Sequence, residues 1–153
     1  MMAAMDYEIR PLTTDDEPVI WEMLYLALQG AETMPPPEIV QQPEYARYAK
    51  DWGRGGDRGF VALDKGDHAP LGAVWFREPN EGSTPELAFA VRPGHRKRGI
   101  GAAVLTQWVR ANPEQEEISL RVRPSHPAVR LYKRFGFRVV AEGETSVTLR
   151  REG

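Results

Sequence analysis

Cysteine is absent from the 153 residues. No disulfide, thiolate ligand or cysteine nucleophile is therefore available, and a reducing, cytoplasmic setting is the expected one. Histidine is nearly absent too. Three scattered residues argue against a structural zinc site, and no metal is expected. No run of about 18 apolar residues occurs, and Met1-Met2-Ala3-Ala4-Met5 is too short and uncharged for a signal peptide. A membrane partner is not expected. An excess of either charge is also missing. Twenty Lys and Arg against 22 Asp and Glu leave a net charge of −2, without the global basic field that marks nucleic-acid binders. No repeat, linker or low-complexity tract divides the chain, so residues 1–153 read as one domain.

What is present alternates between helical and strand patterns. Tyr7 to Arg10 reads as a strand ended by Pro11. A helix follows, capped by Thr14 or Asp15, with Val19, Ile20, Met23, Leu24, Leu26 and Ala27 as its apolar face. Pro35-Pro36-Pro37 is a stiff break, and Pro43 to Trp52 reads as a second helix. Residues 59–63 and 71–77 flank the turn-rich Asp64-Lys65-Gly66-Asp67 as a hairpin. A strand over 86–91, a helix after it, a strand over 118–123, a helix from His126-Pro127 and a closing hairpin complete the order. That order predicts a mixed α/β (α+β) fold, a central twisted sheet with helices on both faces.

One stretch organises the rest. Leu87 to Val91 is a buried-strand run, and Pro93-Gly94 prevents it from continuing. Ile100, Val104, Leu105, Trp108 and Val109 then recur at helical spacing up to Asn112-Pro113. A strand thus ends in a glycine-rich, cationic loop that opens a helix. The first amides of a helix lack internal partners and carry the positive end of its dipole. Gly99 and Gly101 let a ligand reach that backbone, and Arg96, Lys97 and Arg98 add charge. The pattern describes a phosphate site, although a surface turn with solvated basic residues has the same ingredients. A Walker loop is excluded, because Ala102-Ala103 stands where lysine and a hydroxyl are needed. The dinucleotide fingerprint fails at Val104.

What matches is R-x-x-G-x-G-A over Arg96 to Ala102, after V-x-P over Val91 to Pro93. This resembles motif A of the GNAT superfamily, the acyl-CoA-dependent N-acyltransferases, whose element order the chain also follows. The resemblance implies that Arg96, Lys97, Arg98, Gly99, Ile100, Gly101 and Ala102 bind the CoA pyrophosphate. It also implies that backbone amides of Phe89, Ala90 and Val91 line the pantetheine arm. Ser125 to Phe137 resembles the family's motif B, N-x-x-A-x-x-L-Y-x-x-x-G-F, matching every marked position but the first. There Ser125 replaces the asparagine that helps hold the pantetheine. Ala128, Leu131, Tyr132 and Phe135 fall on one helix side, and Gly136 is the expected left-handed stop.

Tyr132 corresponds to the residue that in many relatives protonates the departing CoA thiolate. A tyrosine, with a pKa of roughly 10, is protonated at neutral pH and suits that role; by periodicity alone it is a core aromatic. Glu86, at the start of the central strand, is the resemblance's first candidate for general base acting through water; by itself it is a solvated strand-entry residue. Arg121 and Arg123 share one strand face that either binds an acidic substrate group or is merely exposed. Tyr45, Tyr48 and Trp52 either pack the second helix or shape the acceptor pocket.

The implied activity is transfer of the acetyl group of acetyl-CoA to a primary amine. Without cysteine the attack is direct, in a ternary complex. A catalytically silent acyl-CoA-binding module is the alternative, and the sequence is compatible with a homodimer. The amine itself is not legible.

Overall fold

The computed structural model describes residues 7–28, 35–53, 57–77, 86–92, 99–120, 127–143 and 146–151. The strands are β1 Tyr7–Pro11, β2 Arg58–Asp64, β3 Pro70–Arg77, β4 Glu86–Val91, β5 Glu117–Leu120, β6 Phe137–Glu142 and β7 Val147–Arg151. The helices are α1 Glu17–Leu28, α2 Pro43–Ala46, α3 Ile100–Ala111 and α4 Pro127–Arg134, with a 3-10 helix over Pro37–Gln41. The strands form one sheet in the order β1-β2-β3-β4-β5-β7-β6. Neighbours are antiparallel except β4 and β5, which run parallel through Glu86↔Ser119 and Leu87↔Leu120. A parallel pair needs a crossover, and α3 supplies it. This is the mixed architecture that the element order predicts.

Period-two alternation divides the sheet's side chains between two cores. Phe60, Ala62, Val74, Phe76, Leu87 and Phe89 pack on one face with α3 and α4. Val61, Leu63, Ala73, Trp75, Ala88 and Ala90 pack on the other with α1, the 3-10 helix and the segment around α2. Ile100, Val104, Leu105, Trp108 and Val109 of α3 are all buried, as their spacing predicts. Each contributes about 1.5–3 kcal/mol on burial, against a marginal intrinsic stability for a helix of this length. Packing therefore fixes α3, and with it the position of its N-terminus.

Three details differ from the sequence reading. α1 starts after Asp16, whose buried carboxylate accepts from the Thr13 amide at 2.6 Å and from both Nη atoms of Arg10 at 2.8 and 2.9 Å. Asp16 rather than Thr14 or Asp15 thus ties the helix start to β1, and Ala27 is exposed. The second helix stops at Ala46 after one turn, and residues 47–53 continue as turns. Within them Asp51 and Gly53 take positive φ, 58° and 107°, which an α-helix excludes. At the end of α4, Gly136 has φ 93°, the left-handed stop that was expected.

Candidate active site

The carboxyl ends of the parallel central strands β4 and β5 point to the same end of the sheet, and crevices outside such ends are where ligands bind in α/β sheets. β4 runs to Val91, beyond the described register pair Leu87↔Leu120. Two residues later comes 93–98, so Arg96, Lys97 and Arg98 lie outside the described residues, as do Ser125, His126, Arg121 and Arg123.

The structure resumes at Gly99, the residue before α3, with φ 77°. A Cβ at Gly99 would meet nothing within 4 Å. The first intrahelical bond runs from the Ala103 amide to the Gly99 carbonyl at 3.0 Å, so the amides of Ile100, Gly101 and Ala102 precede the helix's own bonding. Gly101 has a second task. A Cβ there would sit 3.3 Å from Val91 Cγ2, so the glycine also brings α3 close to the end of β4. Arg92 belongs to the framework: its amide donates to the Leu71 carbonyl at 2.8 Å and its Nε to the Pro70 carbonyl at 2.9 Å. Its guanidinium pairs with Glu22 of α1.

Tyr132 lies on the same sheet face as α3. Its side chain is 0% exposed, in the cluster that holds Leu87 and Leu120. Ala128 and Val129 are buried beside it, whereas Leu131 and Phe135 are half-buried against the cluster's rim. The ring meets Phe137 edge-on at 5.6 Å. Its hydroxyl has no hydrogen-bond partner among the described residues. Burial pushes the phenol well above its ordinary pKa, so it remains a proton donor at every working pH. A fully buried, unpartnered hydroxyl costs about 1–3 kcal/mol. A purely packing aromatic at this position is better served by phenylalanine.

Glu86 faces the opposite side of the sheet. It is not a solvated strand-entry residue: its Oε1 accepts from Arg47 Nη1 at 2.5 Å and its Oε2 from the Tyr48 hydroxyl at 2.5 Å. Arg47 Nη2 donates to the same hydroxyl at 2.8 Å, and the guanidinium stacks 4.4 Å from the Tyr48 ring centroid. Side-chain exposure is 38% for Arg47 and 20% for Glu86, so the guanidinium forms the outer layer over the carboxylate. Beneath them Arg77 pairs with Asp57 at 3.0 and 3.1 Å. It also donates to the carbonyls of Arg47, Lys50 and Asp51 at 3.2, 2.7 and 3.2 Å. Trp75 Nε1 donates to the Tyr48 carbonyl at 3.0 Å. Buried donors on β3 thus hold the turns after α2 so that Arg47 and Tyr48 reach Glu86. Tyr45 is half-buried against this cluster, and Trp52 is buried, donating to the Thr13 carbonyl at 2.9 Å.

Arg47, Arg77 and Asp57 escape a sequence reading of the site. One signal was available for Arg77. Residues 71–76 are apolar or glycine throughout, which marks a strand covered on both faces, so its last residue is also inside.

Tyr132 and Glu86 thus lie on opposite faces of the sheet and meet it at adjacent β4 positions: Leu87 belongs to the cluster that holds Tyr132, and Glu86 accepts from the Tyr48 hydroxyl.

The sequence profile described as the acetyltransferase (GNAT) family matches residues 21–137. Among solved structures, a GCN5-related N-acetyltransferase from Kribbella flavida is similar at 23% identity, with TM-score 0.61 over 97% of this chain and 98% of that one. The PaiA N-acetyltransferase of Thermoplasma acidophilum, solved in complex with coenzyme A, shares 16% identity and TM-score 0.61 over 97% and 100%. A phosphinothricin acetyltransferase from Sinorhizobium meliloti, in complex with AcCoA, shares 20% identity and TM-score 0.61 over 96% and 88%. No curated protein matches the chain.

Proposed function

The chain belongs to the GNAT family of acetyltransferases, and from that premise we propose that it transfers the acetyl group of acetyl-CoA to a primary amine by direct attack in a ternary complex. The observation that carries this reading is the Tyr132 hydroxyl, wholly buried and without a partner among the described residues. Such an atom fits a site completed by a ligand, and the sulfur of acetyl-CoA is a suitable acceptor.

The reaction follows from residues on the two faces of β4. Glu86 accepts a proton from the acceptor's ammonium, directly or through water. The freed amine attacks the thioester carbonyl; its nitrogen bonds the acetyl carbon as the carbon–sulfur bond breaks. Tyr132 gives its proton to the leaving thiolate. Desolvation raises thiol and phenol alike, so donor and acceptor stay matched inside the site. Amides of Phe89, Ala90 and Val91 bind the pantetheine arm, and one of them polarises the carbonyl oxygen. The amides of Ile100, Gly101 and Ala102, with Gly99 giving clearance and Arg96, Lys97 and Arg98 adding charge, hold the pyrophosphate. Ser125 contributes at the pantetheine arm.

Calorimetric titration with CoA tests the donor half. Affinity is expected to fall as salt rises. Gly101→Val is expected to abolish binding, with some loss of stability because the new side chain meets Val91. An affinity unchanged in Gly101→Val removes the pyrophosphate assignment. Release of free thiol from acetyl-CoA in the presence of amines tests the acceptor half and separates an enzyme from a silent binding module.

A further inference from the structure

We infer that the acceptor is a zwitterion, an α-amino acid or an amine with a comparable oxyanion on the adjacent carbon, held across the Arg47–Glu86 pair. The inference rests on the acetyltransferase reading and adds the substrate class to it.

The argument is one of remaining hydrogen-bonding capacity. A guanidinium has five N–H donors. Among the described residues Arg47 uses three of them, from Nη1 to Glu86, from Nη2 to the Tyr48 hydroxyl and from Nε to the Glu44 carbonyl at 3.2 Å. One donor remains on each terminal nitrogen, on a side chain 38% exposed. A carboxylate has about four acceptor sites, and among the described residues Glu86 fills one on each oxygen. The pair therefore presents unused positive donors beside unused negative acceptors, with the charged atoms 2.5 Å apart.

A ligand complementary to that surface carries a carboxylate next to an ammonium. An α-amino acid does so with one carbon between them. Its carboxylate takes the outer Arg47 donors, and its ammonium takes the free Glu86 lone pairs, where Glu86 must act. No existing bond of the network has to break. A simple alkylamine or polyamine can take the same Glu86 lone pairs, but it leaves the outer Arg47 donors without an anionic partner and brings a second cation against the guanidinium. It therefore forgoes the charge-assisted bonds that the carboxylate supplies. The site is also fixed in advance. Arg47 is stacked on Tyr48, and the Arg77 and Trp75 bonds to the 47–51 backbone hold both residues.

The test compares turnover on the full chain, at fixed acetyl-CoA, of a set of α-amino acids, each with its carboxamide and its decarboxylated amine. A diamine is included, and thiol release is measured. For the best series the acid is expected to exceed amide and amine in kcat/KM by at least about tenfold, the worth of one charge-assisted bond, through KM. In Arg47→Gln that preference is expected to vanish while CoA affinity stays unchanged, which also shows that the variant is folded. Amide or diamine used as well as the acid, or a preference that survives Arg47→Gln, overturns the zwitterion inference and leaves acetyl transfer to amines standing. Thiol release with none of the amines, carboxylate-bearing or not, overturns the acetyltransferase reading beneath it.

Discussion

Arg77 and Asp57 form a two-pronged ion pair with side chains only 3% and 5% exposed. In the β3–β4 register Arg77 stands opposite Glu86. Removing one member leaves a buried charge alone, which costs about 3–5 kcal/mol. Arg77→Met is therefore expected to lower unfolding free energy by that order in denaturant titration. It also releases three carbonyls of the segment that carries Arg47 and Tyr48. Where the variant still folds, acceptor KM should rise more than the CoA dissociation constant. An equal effect on both would show that Arg77 only stabilises the fold.

The Arg10–Asp16 pair predicts how stability responds to acid. The hydrogen bond from Arg10 holds the Asp16 carboxyl below its ordinary value of 3.8, with burial opposing. A group whose folded pKa is depressed stabilises the fold above its unfolded pKa, and that contribution is lost as pH falls through the folded value. Below about pH 4 the unfolded chain binds this proton first, so stability must decline. Asp16→Asn keeps an acceptor but has no charge to lose. Unfolding curves between pH 6 and pH 3 are expected to fall less steeply for Asp16→Asn than for the natural chain. Parallel curves would assign the acid sensitivity to other carboxylates.

If Glu86 takes the amine's proton, Glu86→Gln is expected to lower turnover at neutral pH by roughly 10²–10⁴ and to regain part of it at alkaline pH. An amine already deprotonated needs no base. Tyr48→Phe removes one of the two bonds that orient the carboxylate, so a smaller loss with the same direction is expected. A pH–rate profile identical in shape for Glu86→Gln and the natural enzyme would take Glu86 out of the mechanism.

How much of this was legible in the sequence depends on contact range. The strand over 86–91, the helix from Ile100 and the left-handed Gly136 are governed by neighbours a few residues away, and periodicity and turn chemistry place them. The bonds from Arg47 and Tyr48 to Glu86 span 39 and 38 residues, and no local pattern encodes such a meeting. It also depends on the second helix ending at Ala46, where Pro43 to Trp52 reads as one continuous amphipathic run. Positive φ at Asp51, a non-glycine residue, is a tertiary outcome. Glu86 reads in the sequence either as a general base or as a solvated strand-entry residue, and the structure covers it with Arg47 and Tyr48. Tyr132 had two readings, core aromatic or proton donor. Its depth agrees with the first, and its hydroxyl, without a partner among the described residues, supports the second.

The most direct measurement of that second reading is the rate and the melting temperature of Tyr132→Phe, taken together under conditions where chemistry limits turnover. The substitution keeps the ring and its packing on Phe137 and deletes an oxygen that has no partner among the described residues. Stability should be unchanged or higher, since the cost of burying a lone hydroxyl disappears, and CoA affinity should hold. Turnover should drop by roughly 10²–10⁴, the worth of a positioned acid. A variant that is equally stable and works within twofold of the natural rate would contradict the account, and Tyr132 would then be a core aromatic and nothing more.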